Sequence, residues 1–165
     1  MTAPPEPHPR TLVVGIGSPH GDDQVGWIVA RELATVMTGE VEVRTLTQPA
    51  GLLDGLHDVD HLVVCDACCS GRAAGELIRW IWPNPSIVIP ERSGSHDLTL
   101  PFVLALAKRL GKLPERVTLW GVELGSDSPT APLSMAVQNA VPGIVRTIVE
   151  DLRAGMSNRE SCRHA

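Results

Sequence analysis

Thr11-Leu12-Val13-Val14-Gly15-Ile16-Gly17-Ser18-Pro19-His20-Gly21-Asp22-Asp23 is the stretch that decides the fold of this chain. Its first five residues are apolar or β-branched with no polar alternation, the pattern of a strand buried on both faces. Glycines and a proline follow, then paired acids. From Asp23 to about Thr38, residues Val25, Ile28, Val29, Leu33 and Val36 recur near helical spacing, with Asp22 placed to cap the N-terminus. The stretch reads as strand, loop and helix, the opening of an α/β domain.

The same grammar continues downstream. Val41 to Leu46 alternates as a second strand, Gly51 to Leu56 suits a short helix, and His61 to Asp66 forms a third, continuously apolar strand. Glu76 to Trp82 predicts a fourth strand; an antiparallel position near an edge suits it, because Pro83, Pro85 and Pro90 then open a long loop. Ser95 is a good N-cap for a helix from about His96 to Leu110, with Pro101 in an early turn and Gly111 at the stop. Val117 to Gly121 is a fifth strand, Glu123 to Pro132 a polar loop, and Leu133 to Arg153 a final helix that Pro142 should kink or divide. The order predicts one α/β domain over residues 11–153: a three-layer fold with a twisted, mostly parallel five-stranded sheet and helices on both faces. Residues 1–10 (MTAPPEPHPR) and 154–165 read as disordered tails.

Composition bounds the function. A chain of 165 residues, 43% of them hydrophobic, can bury a core that needs neither disulfides nor a structural metal. With no Tyr, four Trp and Phe102 alone of its kind, that core must be mainly aliphatic. Cys65, Cys68 and Cys69 crowd into one short stretch and Cys162 sits in the C-terminal tail, which is not a spaced disulfide framework. The CxxC pair has no second pair to complete a zinc site, and its first thiol falls inside a strand; buried, inert thiols are the expectation. The N-terminus lacks an apolar signal region and no segment approaches the roughly 20 apolar residues of a membrane span, so a cytoplasmic protein off the membrane is expected. A net charge of −5 with scarce lysine argues against nucleic acid as partner.

In open parallel sheets ligands bind beyond the carboxyl ends of the strands. Asp23 follows the first strand, Asp66 closes the third, and His96 opens a helix after the Pro-rich loop, so the three should converge on one edge. Two carboxylates and an imidazole suit a divalent metal with open positions. Each also has a plainer reading: Asp22 and Asp23 as complements to a helix dipole, Asp66 as a loop acid bonded to amides, His96 as a solvated first-turn residue. Gly15 and Gly17 invite a phosphate reading, but the third glycine of the dinucleotide fingerprint is displaced, Pro19 removes a donor, and Asp22 and Asp23 put negative charge where phosphate would sit. His20, His57 and His61 have no partner in the pattern and read as loop or surface residues.

Taken together, Leu12 to Gly26, His61 to Ala67 and Ser95-His96-Asp97-Leu98 resemble the hydrogenase maturation endopeptidases, over about Thr11 to Leu152. The second acid of that family's opening motif matches Asp23, the acid after its third strand Asp66, and the histidine of its Ser-His pair His96; Trp120-Gly121-Val122-Glu123 also looks like its penultimate strand and following loop. The resemblance implies an endopeptidase, aspartic-type or metal-assisted, that removes a C-terminal peptide from the nickel-loaded large-subunit precursor of a nickel-iron hydrogenase. It implies that Asp23, Asp66 and His96 are both catalytic and metal-recognising, that nickel arrives with the substrate, and that no organic cofactor is needed. The alternative is a chaperone of the same fold that binds metal or precursor without cutting. A monomer or weak dimer is expected. The family's loop after the second strand helps choose the substrate; the nearest positions here are Thr47, Gln48, Pro49, Ala50 and Gly51. Ser18 stands where the motif usually has asparagine and Gln24 where glycine is common, which predicts a first loop of different shape.

Overall fold

Along the chain run β1 (Thr11–Ile16), α1 (Val25–Val36), β2 (Glu42–Leu46), β3 (His61–Cys68), β4 (Leu77–Trp82), α2 (Leu100–Arg109), β5 (Arg116–Glu123) and α3 (Met135–Arg163), with 3-10 turns at Gly21–Gln24 and Pro49–Asp54. This computed structural model describes residues 10–87, 98–125 and 132–163. The strands form one sheet in the order β2-β1-β3-β5-β4. β1 pairs in parallel with β2 and β3, and β3 in parallel with β5, while β4 lies antiparallel at the edge with Leu77 opposite Val122. The expected α/β class and the antiparallel edge strand are both present.

Strand alternation sorts the core into two layers. Val13, Val63, Cys65, Trp120 and Val122 face α1 and α3, where Val29, Leu33, Val137 and Ile148 meet them. Leu12, Val14, Leu62, Val64, Val117 and Leu119 face the other way, onto Val103, Leu104 and Ala107 of α2 and Leu52 of the Pro49–Asp54 turn. Residues of β1 are buried without exception. That is why its sequence carries no polar alternation. At the amino edge, Glu42 accepts from the Nε of Arg10 at 2.9 Å and of Arg44 at 2.8 Å, and Asp60 accepts from the Arg10 backbone N–H at 2.6 Å. Arg10 is thus tied to the domain rather than part of a tail.

Several boundaries differ from the sequence reading. α2 begins at Leu100, not His96, with Thr99 extended at its N-cap and a proline in the first turn. Pro101 lacks the N–H that the sixth residue of a helix begun at His96 would need, and its ring would strike the carbonyl four residues back, so the helix starts where proline fits. The proposed Ser95 cap lies outside the described residues. α3 continues to Arg163, so residues 154–163 are helical and not an irregular tail; Met156 still packs on the core. Pro142 does not divide it, because Pro142 and Gln138 both lie on the solvent side, where the carbonyl freed by the missing N–H remains hydrated. His61 is buried at 4% exposure, with Nε2 2.9 Å from the Thr118 hydroxyl, and is not a surface residue.

The packing of α1 on β1 sets a test. A Cβ on Gly26 would stand 2.0 Å from the Ile16 carbonyl oxygen and 2.7 Å from that of Cys65, both backbone atoms. Gly26→Ala should therefore destabilise by about 3 kcal/mol or more. Gly143, in α3, has nothing within 4 Å of the same position, so Gly143→Ala should stabilise by about 0.5–1 kcal/mol. Thermal melts of the two variants beside the unsubstituted protein check both signs.

Candidate active site

Because β1, β2, β3 and β5 are parallel, their carboxyl ends share one edge. A Cβ on Gly15 would meet the Gly26 carbonyl oxygen at 2.2 Å, and one on Gly17 the Asp23 carbonyl oxygen at 2.2 Å. The glycines make room for the start of α1 itself. The space that a phosphate would need is filled by this chain's own backbone. The tight approach carries the Gly21–Gln24 turn over the sheet edge and sets Asp23 beside the end of β3.

Asp66 does not close β3, which runs two residues further to Cys68; it is half-buried near that end, and its Oδ1 accepts from the Ala67 N–H at 2.8 Å. Burial, reinforced by the negative charge of Asp23, pushes its carboxyl up to about 7, against the lowering effect of the Ala67 bond. Two carboxylates thus stand within electrostatic reach, and Asp66 holds its proton to near neutrality.

Two further carboxylates build the frame. Asp22 is 2% exposed and accepts from the Gly125 N–H at 2.7 Å, the Ser134 N–H at 2.6 Å and the Ser134 hydroxyl at 2.9 Å. Ser134 in turn accepts from the Val137 N–H at 3.4 Å, as the N-cap of α3. Asp22 therefore ties the first loop to the start of α3; it does not cap α1, as the spacing had suggested. Glu123, also 2% exposed, accepts from the Ser70 N–H and hydroxyl, the Gly71 N–H and the Cys68 thiol. Led by the Ser70 hydroxyl, these bonds hold its carboxyl down at about 2 despite burial, and they fasten the loop after β3. Burial is the first cause that pushes the Cys65 and Cys68 thiols up to about 12, so both are inert; Cys69 is exposed, against expectation. Sequence reasoning noted Glu123 only within a resembling stretch. Its position directly opposite Cys68 in the β3–β5 register is the signal that marks it.

Of the predicted site residues, Asp23 and Asp66 are brought together. His96 lies outside the described residues. Gln48, Pro49 and Gly51 follow β2 on the same edge, with Gln48 and Gly51 exposed and the Gly51 N–H donating to the Gln48 carbonyl at 3.2 Å. Gln24 closes the Gly21–Gln24 turn by donating its side-chain amide to the Gly21 carbonyl at 3.0 Å. Among the described residues no group of three His, Cys, Asp or Glu side chains is set to hold a metal ion. A cavity of about 560 Å³ lined by Leu53, His57, Asp58 and Lys112 lies at the opposite edge, away from both carboxylates.

The sequence model described as HycI, hydrogenase maturation protease, matches residues 31–151. The chain belongs to that family, and is a peptidase of hydrogenase maturation. Among solved structures it is similar to the hydrogenase maturating endopeptidase HybD of Escherichia coli, with 24% identity, a TM-score of 0.72 and coverage of 88% of this chain and 93% of that one. The NiFe hydrogenase maturation protease HycI of Thermococcus kodakarensis gives 24% identity, a TM-score of 0.68 and coverage of 87% and 92%. A hydrogenase 2 maturation peptidase from a Thaumarchaeota archaeon gives 26%, 0.62, and 87% and 97%. Comparison with curated proteins finds no match. No helix among the described residues is long and apolar enough to cross a membrane.

The raised carboxyl of Asp66 yields a signed prediction. Its folded value of about 7 exceeds the ordinary 3.8, so the folded state favours the protonated form. That advantage is complete below the ordinary value and is lost as pH rises through about 7. Asp66→Asn should therefore gain about 2–4 kcal/mol relative to the unsubstituted protein between acid and mildly alkaline pH. Denaturant unfolding from pH 4 to 8 measures the difference; a constant gap contradicts the assigned shift.

Proposed function

We propose that this peptidase removes a C-terminal peptide from the nickel-loaded large-subunit precursor of a nickel-iron hydrogenase, and that Asp23, Asp66 and His96 recognise the nickel the precursor carries. The observation that carries the proposal is the meeting of Asp23 and Asp66 at the carboxyl edge, with the Asp66 proton held to about pH 7. Hard oxygen ligands that are partly desolvated gain most from a divalent cation, which offsets the cost of their burial and displaces the proton of Asp66. A nickel centre on the substrate supplies that charge only when it is loaded, which makes its presence the condition for docking. His96, four residues before Leu100 in the sequence, is the borderline ligand of the proposed set.

Docking by the metal brings the adjoining scissile peptide to the carboxylates by proximity. Asp23 and Asp66 then orient a water whose hydroxyl adds to the carbonyl carbon, while its proton passes through a carboxylate to the departing amine nitrogen. The proton that burial holds on Asp66 to about pH 7 supports the aspartic-type variant of this step; polarisation of the carbonyl by the substrate's metal is the metal-assisted one. Thr47, Gln48, Pro49 and Gly51 form the neighbouring rim and choose among precursors. The protein works in the cytoplasm, as a monomer or weak dimer.

Incubation with a nickel-loaded large-subunit precursor, followed by intact mass measurement, tests the reading. Loss of a C-terminal peptide is expected, with rates at least about 100-fold lower for Asp23→Asn, Asp66→Asn and His96→Ala. Full activity in Asp66→Asn rejects the assignment, and an unchanged precursor mass in a tight complex supports a holding chaperone instead.

A further inference from the structure

We infer that Trp27 is a positioning residue for substrate selection, because its indole locks the Thr47–Gly51 rim to the helix start that carries Asp23. The inference rests on the proposed active site and extends it to a residue outside the acid pair. β2 is an edge strand and Leu46 is its last residue. The Leu46 carbonyl accepts two bonds, from the Gly17 N–H at 3.1 Å and from the Trp27 Nε1–H at 2.8 Å. Both donors belong to the segment around Asp23. Gly17 abuts the Asp23 backbone, and Trp27 follows Asp23 by four residues, just across the junction of the Gly21–Gln24 turn with α1. The position of a Gly17 Cβ is also 3.6 Å from the Trp27 ring.

On its other side Leu46 holds the rim. A Cβ on Gly51 would stand 3.0 and 3.3 Å from the two Leu46 methyl groups, so the loop folds back against the side chain whose carbonyl Trp27 grips. Thr47, Gln48 and Gly51 remain exposed as an uncharged polar surface one strand from Asp23. A substrate chain bound at the acids and extending towards β2 meets that surface, whose register against Asp23 decides which side chains fit. The Arg31 guanidinium lies 5.8 Å from the Trp27 ring centroid and restrains its outer face. Trp27 is half-buried and belongs to neither apolar core layer, so the indole N–H is its distinctive contribution.

Trp27→Phe keeps an aromatic ring and removes the donor. Cleavage kinetics on a nickel-loaded hydrogenase large-subunit precursor should show KM raised about 3- to 10-fold, the loss of one hydrogen bond, with kcat within about twofold. Amide hydrogen exchange at Gly51 should quicken, while that of Val13 and Val63 in the central strands stays unchanged. Adding Gln48→Ala should give less than the product of the two separate KM effects, since both act through one loop. An unchanged KM, an unchanged exchange rate at Gly51, or a kcat loss alone overturns the inference. Asp66→Asn, run in parallel, separates the two readings: full cleavage by that variant rejects the acid site, while the exchange measurement still decides whether Trp27 holds the rim.

Discussion

The close seating of the first turn of α1 on β1 is the constraint on which the rest of the structure depends. Gly15, Gly17 and Gly26 remove the side chains that would keep the two backbones apart, to the point that a single methyl at any of them would collide with a carbonyl oxygen. At ordinary helix–sheet spacing, Asp23 would stand above the sheet. At the observed spacing it comes within electrostatic reach of Asp66, whose carboxyl is raised first by burial and further by the charge of Asp23. The same approach puts Trp27 within reach of the last carbonyl of β2. Packing and electrostatics are therefore one event here: glycine spacing sets the distance between two charges.

Four buried or half-buried acids serve two different ends, and their bonding tells them apart. Asp22 and Glu123 are each surrounded by donors from other loops, so their desolvation is offset by charge-assisted bonds and their role is to fasten backbone. Asp66 has one amide donor and a second acid as neighbour. Its charge is under-compensated. That imbalance costs stability at neutral pH, a trade common to functional sites.

The loops at the edge are held from several directions. Asp22 anchors the two sides of the connection between β5 and α3, Glu123 the turn after β3, and the Leu46 carbonyl the turn after β2. A rim restrained at such points keeps its shape, because deforming it would break bonds to buried groups rather than to water.

Much of this was legible in the residues alone. Unbroken apolar runs at Thr11–Gly15 and His61–Cys65 state a sheet covered on both faces, since a strand with one wet face must alternate. The alternation of Glu76 to Trp82 marks β4 as a strand with one wetter face, as its burial pattern shows. Asp23 and Asp66 are legible because topology alone sends both to the carboxyl edge. Other features depend on contacts between residues far apart in sequence, which no local pattern encodes. Asp22 sits where a cap of α1 belongs, yet it bonds to Ser134, more than a hundred positions away. His61 looks like a surface histidine until β5 supplies Thr118. Helix ends followed local sterics at Pro101 and tertiary cover at Met156, the second invisible in a polar tail. The sequence by itself determined the layers, the strand directions and the edge where the acids meet, because these follow from periodicity and chain order. Only the tertiary structure decided which acid is left with a single donor and which is saturated with them, because that depends on the donors each buried carboxylate meets.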